Sequence, residues 1–244
     1  RKRRSAQKLR QKARPSGGGN MSRLIISKSP VMVKLAIVDG SSALELDMDI
    51  FSERSFVNNI YVGKVQNIVK GKFAFIDIGL SKPGFLQLDD RKQAGIEALR
   101  LSQSKEVLVQ VLKDINGDKG PYLTSELTFS GRYAVLVRRL DKKMSVNVST
   151  RIDDIDKKQE LKEIGLKYCP EGFGLILRTE SLRAGEESIR DDIERLYEGA
   201  RELLEKSAYI KAPALLKGSD GTEKAVRGLL YHRPDKIICD SKEL

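Results

Sequence analysis

The 244-residue chain is 40% hydrophobic and 32% charged, with two cysteines, no tryptophan and a formal net charge of +11. That apolar share can bury a core in one large or two modest domains, which excludes a wholly disordered chain. No run approaches the roughly 18 apolar residues of a membrane span, and no hydrophobic signal segment follows the basic start, so a soluble, intracellular protein with no membrane partner is expected. Cys169 and Cys239 belong to no Cys-x-x-Cys pair. Neither a zinc site nor a disulfide framework is therefore expected, and both read as buried thiols in a reducing compartment.

The charge is uneven. Arg1, Lys2, Arg3, Arg4, Lys8, Arg10, Lys12 and Arg14 form an arm without a single acid, so eight of the eleven net charges sit in the first fourteen residues. Such an arm favours nucleic-acid contact, in which each neutralised phosphate releases counterions. A targeting remnant, a nuclear-type basic signal and a solvated tail are the rival readings. Pro15-Ser16-Gly17-Gly18-Gly19-Asn20 then reads as a flexible hinge, and Met21 as a second start site, which makes residues 1–20 an extension.

Short strands follow over Arg23–Ser27, Val33–Val38 and Ala43–Asp47, the last two joined at Asp39-Gly40 as a hairpin. A second set is expected over Ile60–Val69, Ala74–Ile78, Phe85–Gln87, Val107–Lys113 and Tyr122–Phe129, with residues 91–101 a helix or loose loop. Five short strands with glycine-rich turns indicate a small closed barrel of the OB type. Beyond Gly131 the pattern becomes α+β: strands Tyr133–Val137 and Gly174–Arg178, an amphipathic helix over Asp154–Leu166 and a long helix over Gly185–Glu205. A helix across Thr222–Leu230 precedes a closing strand Lys236–Cys239. That strand reads as a return to the sheet begun at Arg23, which makes the barrel an insertion.

The segment Lys72-Phe73-Ala74-Phe75-Ile76-Asp77 alternates, so Phe73, Phe75 and Asp77 share one face and Ala74 and Ile76 the other. Together with Phe85 the rings could offer bases a stacking platform, with Lys64, Lys70, Lys72 and Lys82 supplying phosphate attraction. The competing reading puts the same three phenylalanines in the barrel core. Lys119 sits in a hairpin tip, Asn116–Gly120, that could bring an ammonium near the rings or simply be solvated. Arg178-Thr179, at the end of an apolar strand, suits a terminal phosphate by charge and hydroxyl, a weak signal when alone. His232 reads as a loop or surface histidine, and Asp153, Asp154 and Asp156 as charges at a helix N-terminus. No local catalytic motif and no metal-ligand set is present, so catalytic and metal residues are expected to be none, and no cofactor is expected in this chain.

Ile37-Val38-Asp39-Gly40, Asn59-Ile60-Tyr61-Val62-Gly63-Lys64-Val65, Ala74-Phe75-Ile76-Asp77-Ile78-Gly79, Gly84-Phe85-Leu86, Lys119-Gly120 and Leu177-Arg178-Thr179 occur in this order. On these residues, residues 21–244 resemble the amino-terminal half of the ribonuclease E/G family; Ser130–Tyr133 and Ala212–Leu216 look closest to cyanobacterial and plastid members. The resemblance implies an α+β chain in which an S1-type OB-fold barrel interrupts a partial ribonuclease-H-like sheet and a 5′-sensor subdomain follows. The expected divisions are a basic arm (1–20), the first part of the ribonuclease-H-like subdomain (21–58), the barrel (59–129), the 5′-sensor subdomain (130–211) and the second ribonuclease-H-like part (212–244). It further implies that Phe75, Phe85 and Lys119 contact RNA, with Phe73, Lys64 and Lys72 beside them. Gly131, Val135, Arg178 and Thr179 fall on the positions that hold a 5′ monophosphate.

The family's cleavage site lies in a later domain whose two aspartates bind magnesium, followed by a zinc link, and this sequence stops before either. The expectation is an RNA-binding protein for single-stranded or ribosomal RNA, without its own catalytic domain. The alternatives are a portion of a magnesium-dependent single-strand endoribonuclease, or a structural ribosome-associated or assembly component. RNA is the expected partner, with a ribosome or RNA-processing complex beyond it, in a plastid, another organelle or a bacterial cytoplasm.

Overall fold

A computed structural model describes residues 21–29, 32–50, 55–69, 72–88, 101–115, 119–139, 144–218, 226, 229 and 234–240. The basic arm, Lys70, the 91–100 segment, the 116–118 tip and His232 lie outside them. The chain divides into two compact units, one from the described residues of Arg1–Ser55 and Ser219–Leu244, the other Phe56–Gly218.

The first unit begins with β1 (Ser22–Ser29), β2 (Met32–Asp39) and β3 (Ser42–Ile50), paired antiparallel. Alternation sets their inner face: Leu24, Ile26, Val33, Leu35 and Ile37 are buried and pack with Leu229, while the residues between them are more exposed. Val226 and Leu229 are helical, as expected within 222–230.

In the second unit, β4 (Ile60–Val69), β5 (Phe73–Asp77), β6 (Gly84–Gln87), β7 (Glu106–Lys113) and β8 (Tyr122–Thr124) form the order β4-β5-β6-β8-β7, and β7 pairs back onto β4. The result is a closed five-stranded barrel of the OB type, filled by Val65, Ala74, Ile76, Leu86, Val107, Val109, Val111 and Leu123. The strand expected over 122–129 is broken. Glu126 N–H donates to the Thr124 hydroxyl at 3.1 Å, which turns the chain after Thr124, so β9 (Leu127–Ser130) leaves the barrel for another sheet.

That sheet runs β11-β12-β10-β9, with β10 (Ala134–Arg138), β11 (Ser145–Val148) and β12 (Phe173–Leu177). Helices α1 (Ile155–Tyr168) and α2 (Glu186–Ser207) pack on its buried side through Leu161, Gly165, Ile189, Ile193, Ala200 and Leu203. Asp154 caps α1 by accepting from Lys157 N–H at 3.0 Å, so one member of the acidic cluster has the helix-end role its position suggests. A strand not anticipated from sequence, β13 (Ala214–Lys217), adds to β4.

The chain then returns to the first unit. β14 (Lys236–Cys239) lies parallel to β1, Arg23 opposite Lys236 and Ile26 opposite Cys239, so the closing strand does rejoin the sheet begun at Arg23. The thiols depart from expectation: Cys239 is exposed and Cys169 half-buried, its pKa pushed up by burial.

Gly120 is placed so that a Cβ would overlap the Pro83 carbonyl, a backbone atom with no rotamer to yield. Gly199, inside α2, has nothing within 4 Å of such a Cβ. Urea unfolding should therefore show Gly120→Ala destabilised by about 1–3 kcal/mol and Gly199→Ala stabilised by up to about 1 kcal/mol.

Candidate nucleic-acid interface

On β5, Ala74 and Ile76 are fully buried whereas Phe73, Phe75 and Asp77 are half-exposed. None of Phe73, Phe75 and Phe85 belongs to the barrel core, so the reading that placed them inside is not what the structure shows. They lie on the outer face because inward positions are already taken by Ala74, Ile76 and Leu86. Phe85 is the hub: its ring centroid is 5.4 Å from Phe73, 6.0 Å from Phe75 and 5.6 Å from Tyr122. The rings meet at tilted or edge-on angles, the arrangement favoured by their quadrupoles.

Register accounts for the cluster. Phe75 is opposite Phe85 across β5–β6, and Phe85 is opposite Tyr122 across the parallel β6–β8 pair. Lys64 on β4 is opposite Asp77 and shares its outward face, and Lys64, Lys72 and Lys119 are all exposed. Lys119 precedes β8, where the Pro121 carbonyl accepts from Phe85 N–H at 2.8 Å. Tyr122 and Lys113 were not singled out from sequence. The Lys113 ammonium lies 5.9 Å from the Tyr122 ring centroid, and the Tyr122 hydroxyl donates to Gln87 Oε1 at 2.7 Å. The Tyr122–Gln87 contact joins segments 35 positions apart in the chain, which local pattern does not reveal.

A second constellation sits at the end of β12. Arg178 Nη1 donates to the Gly131 carbonyl at 2.8 Å, and Arg178 N–H donates to the Tyr133 carbonyl at 2.8 Å. Val135 is opposite Ser130 and Ile176, so β10 and the Arg178–Gly131 hydrogen bond bring Gly131, Val135 and Arg178 to one end of the sheet. Thr179 follows directly, opening a short 3₁₀ turn through Arg183. Glu180 Oε2 accepts from the Thr179 hydroxyl at 3.2 Å and lies 3.7 Å from Arg178 Nε. The Glu180 carboxylate therefore stands beside both the Arg178 guanidinium and the Thr179 hydroxyl.

The turn carrying Gly131 is held from the helix side by Asp192, 3% exposed, whose Oδ2 accepts from Tyr133 N–H at 2.8 Å and Ala134 N–H at 3.1 Å. Gly131 leaves room for it: a Cβ there would collide with that carboxylate. Arg195 Nη2 pairs with Asp192 Oδ1 at 3.2 Å. Sequence reading treated α2 as an amphipathic helix and gave Asp192 no role.

A groove of about 430 Å³ between α1 and the start of α2 is lined by Lys157, Leu161, Ile164, Lys167 and Glu186. Its charges are satisfied within it, Lys157 with Glu160 at 2.6 Å and Lys167 with Glu186 at 2.8 Å. The Lys167 hydrogen bond, with a further one from Tyr168, holds the Glu186 carboxyl below its usual range. Among the described residues no group of three or more His, Cys, Asp or Glu is placed to hold a metal ion, and no helix is long and apolar enough to cross a membrane.

The described fold is that of a mixed α+β protein built on an OB-type barrel with an aromatic outer face. By sequence the chain belongs to the ribonuclease E/G family, whose model matches residues 128–244. It is similar to ribonuclease E of Nostoc sp. (strain PCC 7120), 34% identical over 195 residues that cover 76% of this chain and 28% of that protein. Ribonuclease G of Salmonella typhimurium is 30% identical and that of Escherichia coli K12 28% identical, each over 235 residues covering 90% of this chain and 47% of the relative. The chain thus spans about half the length, or less, of the curated relatives it matches.

Because Asp192 satisfies two backbone donors in a buried place, Asp192→Ala should lower stability by about 1–3 kcal/mol. Hydrogen exchange at Tyr133 and Ala134 should accelerate in the same variant, and slow exchange there would show that other groups hold the turn.

Proposed function

We propose that this chain binds single-stranded RNA on the outer face of an S1-type barrel and engages a 5′ monophosphate at Arg178 and Thr179, as a 5′ sensor. The observation that carries the reading is the half-exposed ring cluster of Phe73, Phe75 and Phe85 outside an already filled barrel, with exposed Lys64, Lys72 and Lys119 on the same module. Each base laid on a ring contributes about 1–3 kcal/mol, and the lysines make the remainder salt-dependent. The basic arm, Arg1 to Arg14, adds phosphate contacts of the same kind. Relatives named ribonuclease G and ribonuclease E support RNA as the partner, and the cyanobacterial ones support a bacterial or plastid setting.

At the sensor, Gly131 and Val135 shape the floor while Arg178 supplies charge and Thr179 a hydroxyl. Arg178 is already oriented by the Gly131 carbonyl, so little side-chain freedom remains to be lost on binding. A terminal phosphate dianion displaces Glu180; a 5′ hydroxyl brings no charge with which to do so. That difference is the proposed basis of discrimination.

A second reading is favoured by the coverage of the relatives: the chain is one portion of a magnesium-dependent endoribonuclease, and the metal site lies in the part of the protein that this chain does not span. Magnesium would there stabilise the charge of phosphodiester cleavage, and no described residue of this chain is assigned a part in that step.

Binding to matched oligonucleotides with 5′ monophosphate or 5′ hydroxyl, with magnesium present and products resolved on a gel, tests both readings. Phe85→Ala should weaken both ligands by about 5- to 150-fold. Arg178→Ala should abolish only the monophosphate preference, a charge-assisted contact of about 1.5–3 kcal/mol. Glu180→Gln should tighten monophosphate binding by up to about fivefold and leave the hydroxyl strand unchanged. Unchanged binding in all three variants would overturn the proposal, and cleavage abolished by chelator would put a metal-dependent active site in this chain itself, against both readings.

A further inference from the structure

Tyr122 and Lys113 extend the ring face on the side away from Phe75, and we propose that they form a third base subsite, so that the barrel takes three consecutive unpaired nucleotides. This rests on the RNA-binding reading of the barrel and adds its footprint. Phe75, Phe85 and Tyr122 follow one another across β5, β6 and β8, each opposite the next in register, so their side chains stand in a row on one face. The centroids are 6.0 and 5.6 Å apart. Those spacings exceed the 3.4 Å rise between stacked nucleotides of a duplex strand, so bases seated ring by ring belong to an unstacked, extended strand. A duplex cannot follow the row.

The third ring is fixed before any ligand arrives. The Tyr122 hydroxyl donates to Gln87 Oε1 at 2.7 Å, and the ring packs on Phe85. Lys113, opposite Tyr122 in the β7–β8 pair, places its ammonium 5.9 Å from the ring centroid. A base on Tyr122 thus brings its phosphate to a cation at the end of the row. The neighbouring acids are engaged elsewhere: Asp114 accepts from Phe56 N–H at 2.6 Å, and Asp77 from Gly79 N–H at 2.9 Å. The ligand class is a single-stranded RNA segment of at least three unpaired nucleotides, with no requirement at its 5′ end.

The test uses the full 244-residue chain and 5′-hydroxyl oligouridylates of two, three, four and six nucleotides, so that Arg178 has no 5′-terminal phosphate to bind. Affinity of the unaltered protein should rise steeply from two to three nucleotides and slowly thereafter. Tyr122→Leu, which keeps apolar volume without a π-face, should weaken the trimer and longer strands by about 5- to 150-fold and spare the dimer. Tyr122→Phe should stay within about threefold of the parent, and Lys113→Gln should reduce the salt slope by about 0.7. Trimer binding untouched by Tyr122→Leu but lost in Phe85→Ala would overturn the third subsite and leave the platform standing. Binding untouched by both would overturn the platform as well.

Discussion

Closure of the barrel through β4 is the constraint on which the larger unit depends. β4 pairs with β7 through Ile60–Lys64, with β5 through Lys64–Val69, and with β13 through Ile60–Val62. Gly63 makes this possible, since a Cβ there would collide with Ile76, and the two strands could not approach. Once the ring of strands is closed there is one inside, filled mainly by aliphatic side chains with Tyr61 among them. Phe73, Phe75 and Phe85 are left to the outer surface. The barrel is then joined to the next sheet by Gln110, 2% exposed, whose Oε1 accepts from Thr128 N–H at 2.8 Å and from the Thr128 hydroxyl at 3.0 Å. Its Nε2 donates to the carbonyls of Asn58 and Thr128, each at 3.2 Å, so a buried amide is fully satisfied at the junction.

The two candidate sites differ in how they are prepared. The rings are held by each other and by strand register. The Arg178 constellation is held by hydrogen bonds to backbone and contains its own carboxylate, so on the proposed reading an arriving phosphate would exchange with Glu180. Exposed ion pairs such as Arg178–Glu180 contribute little to stability, and such an exchange would cost little. Asp192 stands behind this site and touches none of its open surface, yet the position of the Gly131 carbonyl that orients Arg178 depends on it.

Period-2 alternation made strands such as β2 and β5 legible, because each has one buried and one more open face; residues 73–77 show this directly. Helix α1 was legible from charge and spacing, with Asp154 as its cap. Three elements were not. Residues 122–129 alternate throughout, and the turn at Ser125 depends on one hydroxyl contact that periodicity does not register. β11 and β13 are four-residue strands whose identity comes from pairing with β12 and β4 rather than from their own composition. The same limit applied to sites: Phe75 and Phe85 stand in motifs, while the contacts of Tyr122 with Phe85 and of Asp192 with Tyr133 arise only through tertiary structure.

The parallel pairing of β14 with β1 has a kinetic consequence. Ser22 and Asp235 meet across 213 positions of chain, whereas Phe56–Gly218 is a compact unit continuous in sequence. During synthesis the inner unit is complete and free to fold while β1 still lacks its neighbour, and loop closure over so long a separation is slow. Until then β1 displays a row of unpaired amides and carbonyls beside apolar residues, the kind of edge to which another chain can add. Completion of this sheet is thus the late and vulnerable step of maturation.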